Sequence, residues 1–274
     1  MTPPQRQACL AVLINFTLAP IEEIVPWGEP GSYSLHWFGL TYGEYWIRAG
    51  EATLFEYSDH ARNAGISRYC DYQVVRLYED LLDMLPYILE PVPEPLVPYI
   101  RGETAKDWQN AYHAWCDRDD DVTDADYLGD LADAAVMWSG KRRLDSAYLS
   151  PSANIAIWSD REHVHIEWDN RDRKFDGKPA WSAAFGSYQL PRDAFVEETR
   201  SFHVRLIDQM AARVDRVVAG CLASDIHIDL PGLVREHEQR VRSLDSALKV
   251  VIPETDWQRT ERAVREILRS QGGV

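Results

Sequence analysis

Residues 33–58 alternate between apolar and polar positions with a period of two. Tyr33, Leu35 and Trp37 fall on one face, and after a break at Gly43, Tyr45 and Ile47 share a face opposite Glu44, Trp46 and Arg48. Gly50-Glu51 then turns the chain into residues 53–57. The pattern predicts a three-stranded antiparallel meander with tight turns. The period then changes: Tyr72, Val75, Tyr78, Leu82, Leu85 and Leu89 recur in steps of three and four, the stripe of a helix laid against a core. Pro86 is expected to kink or end that helix. Four prolines within 91–98 read as a linker or extended crossing. Helical stretches follow over roughly 105–116 and 124–137, on either side of the acidic loop Asp117-Arg118-Asp119-Asp120-Asp121.

The second half repeats this order. Strands are expected at 155–158 and 163–168, joined by a short polar turn, and a third over 180–190 after a loop through Gly177. Pro191, favourable at a first helical position, and Asp193 in the first turn open a long helix with the stripe Phe195, Phe202, Leu206, Met210, Val214 and Val217. The tail reads as helices over 232–248 and 256–269, the second entered through Thr255-Asp256-Trp257-Gln258, which fits a capping box. The expected fold class is α+β. Two antiparallel three-stranded units, each followed by a helix (1–90 and 151–222), flank a Pro-rich linker and helical insert (91–150). An all-helical tail (223–274) completes one globular domain.

Three stretches of the first half, Glu23-Ile24-Val25-Pro26-Trp27-Gly28, Leu35-His36-Trp37-Phe38-Gly39-Leu40-Thr41-Tyr42-Gly43-Glu44-Tyr45-Trp46-Ile47 and Tyr72-Gln73-Val74-Val75-Arg76-Leu77-Tyr78-Glu79-Asp80-Leu81-Leu82, are joined in the second half by His165-Ile166-Glu167-Trp168-Asp169-Asn170 and Leu190-Pro191-Arg192-Asp193-Ala194-Phe195. Together they resemble a family of uncharacterised bacterial proteins, a domain of unknown function, over residues 20–217. The resemblance implies a bacterial cytosolic protein and transfers no catalytic residue.

The charge narrows the partners. Forty-four acidic against 29 basic residues leave a net charge of −15 over 274 residues. Such a surface repels phosphate backbones and anionic headgroups, so neither nucleic acid nor a membrane surface is expected. Cys9, Cys70, Cys116 and Cys221 lie far apart without a CxxC pair and read as reduced thiols of a cytoplasmic protein, Cys70 and Cys116 as small buried hydrophobes. The apolar run over 8–14 is too short to span a bilayer.

Candidate chemistry is sparse. There is no G-x-S-x-G elbow, no phosphate-binding G-x-x-x-x-G-K-[ST] and no H-E-x-x-H. The sharpest pattern is His163-Val164-His165-Ile166-Glu167-Trp168-Asp169, in which a strand puts both histidines, Glu167 and Asp169 on one face and Val164, Ile166 and Trp168 on the other. His163, His165 and Glu167 form a candidate set for one divalent ion with an open position for water. A solvated sheet face shows the same alternation without a ligand, as does a polar partner surface. His227, between Asp225 and Asp229, repeats the motif in miniature and reads as a short connector. The acidic loop offers Asp119, Asp121, Thr123 and Asp130 in the order of a calcium loop, yet lacks its central glycine and terminal glutamate.

Two functional readings follow. One is a cytoplasmic acidic protein-binding module without a cofactor, of the immunity type, that sequesters a basic partner through Asp119, Asp120 and Asp121 with Trp46 as an apolar anchor. The other is a metal-dependent enzyme centred on His163, His165 and Glu167, with a metal-bound water as nucleophile.

Overall fold

The computed structural model of the chain describes residues 13–117, 125–250 and 253–271. Its first sheet is organised around β3 (Tyr42–Ala49), following β1 (Ile14–Leu18) and the two-residue β2 (Tyr33–Ser34). β4 (Ala52–Leu54), helix α1 (Asp59–Asn63), β5 (Cys70–Gln73) and helix α2 (Val74–Leu89) complete this half. Ile47 pairs with Ile14 on one side and Leu54 on the other, and Tyr45 with Phe16 and Cys70. β1 therefore runs along one edge of β3, while β4 and β5 share the opposite edge in succession. The hairpin between Ala49 and Ala52 leaves two residues for its turn, and Gly50 supplies the left-handed φ of 64° that this geometry needs.

The insert contains α3 (Gly102–Cys116) and α4 (Ala125–Gly140). The second sheet has β6 (Ile155–Ser159), β7 (His163–Asp169) and, beyond a small hairpin of β8 (Lys174–Phe175) and β9 (Lys178–Pro179), β10 (Phe185–Pro191). Its order is β10-β7-β6, antiparallel throughout. The long α5 (Arg192–Val218) follows, then β11 (Ile226–His227), α6 (Leu230–Val241), α7 (Ser243–Lys249) and α8 (Trp257–Gln271). The α+β class stands, with helices dominating the C-terminal region.

One apolar core joins the two sheets. Tyr45 and Ile47 of the first, Ile157 and Ile166 of the second, Leu77 and Leu85 of α2, and Phe202 and Met210 of α5 belong to a single buried cluster. A second cluster covers the other face of β6, where Ala156 and Trp158 meet Trp108 of α3, Trp138 of α4 and Val264 and Ile267 of α8. β6 and the middle of β7 are thus buried on both faces, whereas β10 keeps Phe185, Ser187 and Gln189 exposed.

Several expectations change. β1 and β5 were not anticipated, so the first sheet has four strands. The strand expected through Trp37 contracts to Tyr33–Ser34, because Gly39–Thr41 tighten into a 3₁₀ turn that buries Trp37 and Leu40 completely. β2 pairs instead, in parallel, with β11 of the tail, which is therefore not wholly helical. α2 runs through Pro86 to Leu89, since the buried Leu85 and Ile88 outweigh the one hydrogen bond that proline removes. The proline segment forms a six-residue 3₁₀ helix (Glu94–Tyr99), a conformation whose φ proline already holds. At α8 the cap is Asp256, whose carboxylate accepts the Arg259 N–H at 2.9 Å, because Thr255 is engaged elsewhere. The Thr255 N–H and hydroxyl each donate to Glu90 at 2.7 Å.

Candidate functional site

The polar face of β7 is covered by the insert. His165 is 5% and Glu167 8% exposed, so this is no solvated face. The His165 ring stacks on Trp158 of β6 at 4.2 Å and 13°, and its Nε2 lies 2.8 Å from Asp160 Oδ2. Burial pushes the Asp160 carboxyl up, but the His163 N–H, the His165 ring and the Glu162 N–H outweigh it and hold the group at about 2. For Glu167 burial wins: it raises the carboxyl to about 7 against the pull of Arg101. Arg101 Nε lies 3.3 Å from Glu167 Oε1, yet that oxygen has no aligned hydrogen-bond donor.

The candidate metal ligands point to different neighbours. The His163 and His165 rings are 6.5 Å apart and steeply inclined, His165 is turned to Asp160, and Glu167 faces Arg101. Among the described residues no group of three His, Cys, Asp or Glu side chains is placed to share an ion. What the face does line is space. A cavity of about 240 Å³ lies between α3 and the second sheet over Glu167, and a groove of about 1060 Å³ lies between the proline segment and Trp158, Asp160 and His165. Arg101 lines the groove and reaches the cavity's Glu167.

The first sheet carries the other polar surface. In its register Glu44 of β3 is directly opposite Asp71 of β5, and Thr17 of β1 completes the row. Both carboxylates project away from the core, since Tyr45 and Cys70, one residue along, are fully buried. The Tyr42 hydroxyl hydrogen-bonds Asp71, which, with burial, pushes the phenol up to about 12. Burial, reinforced by the Asp71 charge, raises the Glu44 carboxyl. Neither carboxylate forms an ion pair among the described residues. Arg68, the nearest cation in sequence to Asp71, is spent on Glu56 at 2.8 Å.

Trp46 shares this face. It is half-buried rather than fully exposed, stacked on Tyr69 at 4.0 Å and 14°, and the Arg68 guanidinium lies 5.0 Å from the centre of the tyrosine ring. Trp46 Nε1 has no hydrogen-bond partner. Asp119, Asp120 and Asp121 lie outside the described residues. Cys70 is buried as expected, whereas Cys116 is exposed at the end of α3. His227 sits in β11, and Asp229 caps α6 by accepting the Gly232 N–H at 3.0 Å.

Sequence reasoning missed Tyr69 and Asp71, because the helical stripe was read as starting at Tyr72 and hid the strand before it. It also missed Arg143, which follows α4 with no periodic signal of its own.

No curated protein and no solved structure matches the chain. The profile of DUF5984, described as a family of unknown function, matches residues 13–263, running from the start of β1, through both sheets, into α8. The resemblance read from the sequence is thereby placed in a family, and the chain is a member of DUF5984, a family of unknown function.

Proposed function

We propose that the protein is an acidic binding module that holds a basic protein partner against the open face of its first sheet, in the manner of an immunity protein that sequesters a toxic partner. The observation that carries this reading is the Glu44–Asp71 pair. Like charges directly opposite on adjacent strands destabilise a sheet, and a lysine on either strand would have relieved them. Instead they stand uncompensated beside the Trp46–Tyr69 stack, and a partner's lysine or arginine laid along the rings would neutralise both. The net charge of −15 steers such a partner from a distance.

A cytoplasmic setting in a bacterial cell accords with this reading. No helix among the described residues is long and apolar enough to cross a membrane. Asp119, Asp120 and Asp121 add to the net negative charge and are proposed to take part in steering.

The test is parallel capture from the source cells at low ionic strength, with the wild-type protein and the Glu44→Lys/Asp71→Lys variant as baits. A basic polypeptide held by the wild type and lost by the charge-reversed bait supports the proposal. If no polypeptide of net positive charge distinguishes the two, the proposal fails.

A further inference from the structure

Two arginines of the second sheet are anchored to one buried asparagine. Asn170, just past the end of β7, accepts the Asn154 N–H on its Oδ1 at 2.8 Å and the Arg173 N–H on its carbonyl at 3.0 Å. Asn154 in turn accepts the Arg143 guanidinium on its own Oδ1 at 2.5 Å. Arg143 is opposite Ala156 in an isolated bridge, so it shares the face of β6 on which Ala156 lies. Arg143, Ala156 and Arg173 all line the 240 Å³ cavity, which Gln109, Asn110 and His113 of α3 roof.

Neither guanidinium is fully used. The group offers five N–H donors in a fixed fork. Other half-buried arginines of this chain occupy theirs with oxygens: Arg192 donates to Ser159 Oγ and to the carbonyls of Asp160 and Leu89, and Arg213 to the carbonyls of Leu40 and Ala19. Arg143, half-buried as well, donates to Asn154 alone. Among the described residues Arg173 makes no side-chain hydrogen bond, and neither arginine has a carboxylate partner. The acids of the cavity wall are engaged with other cations. Lys106 holds Asp172 at 2.7 Å, Arg101 lies 3.3 Å from Glu167, and Arg171 holds Asp169 at 2.7 Å and Glu103 at 2.5 Å. Burial lowers the Arg143 pKa with no acid to oppose it, whereas Glu90 opposes the same effect on the neighbouring Arg142.

We propose that this cavity binds a small dianionic oxyanion, a phosphate group or a short dicarboxylate, held by Arg143 and Arg173. The guanidinium fork matches the paired oxygens of either group, and two positive charges match a dianion. The roof supplies two amides and an imidazole for the remaining oxygens. The volume lies below the range of about 300–1,000 Å³ usual for drug-sized ligands, which sets the size class. A neutral ligand would leave both charges as they are. The net charge of −15 repels anions from the molecule as a whole, so an anion that is retained must be held by local cations. The site is on the other sheet from Glu44 and Asp71, and its test is independent of theirs.

The test is isothermal titration and thermal shift of the wild-type protein at pH 7.5 and constant ionic strength with inorganic phosphate, glycerol 3-phosphate, malonate and succinate. Acetate and glycerol serve as controls. At least one dianion is expected to bind and to raise the melting temperature, with acetate at least tenfold weaker and glycerol without effect. Binding of the two phosphates alone assigns a phosphate site, and binding of malonate or succinate alone a dicarboxylate site. Arg173→Gln, which removes a side chain without a hydrogen bond of its own, should keep the ligand-free melting temperature and weaken the dianion at least tenfold. Arg143→Gln, whose amide can still donate to Asn154, should weaken it equally if that variant folds. Binding of no dianion, equal binding of acetate, or undiminished binding by Arg173→Gln overturns the proposal.

Discussion

Glu44 and Asp71 stand directly opposite each other on β3 and β5, two carboxylates on adjacent strands that no cation pairs with among the described residues. The surrounding side chains supply hydroxyls, from Tyr42 and from Ser67 at 3.3 Å, but no countercharge. Tyr42 gives its hydroxyl to Asp71, Arg68 is turned to Glu56, and Trp46 lies flat on Tyr69. The sheet therefore bears a local repulsion that its own residues do not cancel, beside an aromatic surface. A sequence selected for stability alone would have exchanged one of these acids, whereas proteins commonly retain such a strain where a partner relieves it.

The isolated protein should accordingly gain stability when the repulsion is removed. Glu44→Gln and Asp71→Asn are each expected to raise the free energy of unfolding at pH 7 by about 0.2–1 kcal/mol, read from urea titration. A loss of stability in both variants would show that the pair is compensated within the chain.

Glu167 predicts a pH dependence. Burial holds its proton up to about pH 7 in the folded protein, whereas the unfolded chain releases it near 4.5. Between these values the unfolded state binds fewer protons, so stability falls as pH rises through the window and is fully present only below it. Asp80, which burial also raises to about 7, contributes in the same sense. Glu167→Gln should therefore flatten the stability profile without levelling it, and should exceed the wild type by about 1–3 kcal/mol at pH 8 while matching it near pH 4.5. Parallel profiles for the two proteins would contradict this account of Glu167.

Glu90 ties three parts of the chain together. Its carboxylate accepts from the fully buried Arg142 at 3.0 Å and from the Thr255 N–H and hydroxyl at the entry to α8. Glu90→Ala leaves a buried guanidinium unpaired and should cost about 3–5 kcal/mol. It should also free the last helix, seen as faster limited proteolysis between α7 and α8 than elsewhere.

Phe202, fully buried on α5, meets the rings of Phe16 at 5.5 Å and Tyr78 at 5.8 Å. Phe202→Ala should cost about 3–5 kcal/mol in thermal or chemical unfolding, through lost burial and an unfilled cavity between sheet and helix. A loss below about 1 kcal/mol would place this stripe outside the core.

Local periodicity made much of the fold legible. The alternation His163 to Asp169 gives β7, the spacing Phe202, Leu206, Met210 gives α5, and Gly50-Glu51 gives the β3–β4 turn, because each pattern is complete within one element. What covers an element is written elsewhere in the chain. Nothing near His165 and Glu167 announces that Trp108 and Val264, from the insert and the tail, close over their face. Thr255 satisfies a capping pattern locally and is claimed by Glu90, 165 residues away. The candidate site was legible to the same extent: Trp46 and Glu44 show in the pattern of β3, but Asp71 becomes their neighbour only through the pairing of β5.

The most direct measurement for the proposed function is the affinity of the captured basic partner for the wild-type protein and for the Glu44→Gln/Asp71→Asn variant, taken at low and at physiological salt. The account predicts that the variant remains folded, with an unchanged or higher melting temperature, and binds at least tenfold more weakly at low salt. The difference should narrow as salt screens the charges. Equal affinity of the two proteins at both salt concentrations would contradict the assignment of this sheet face as the partner's site.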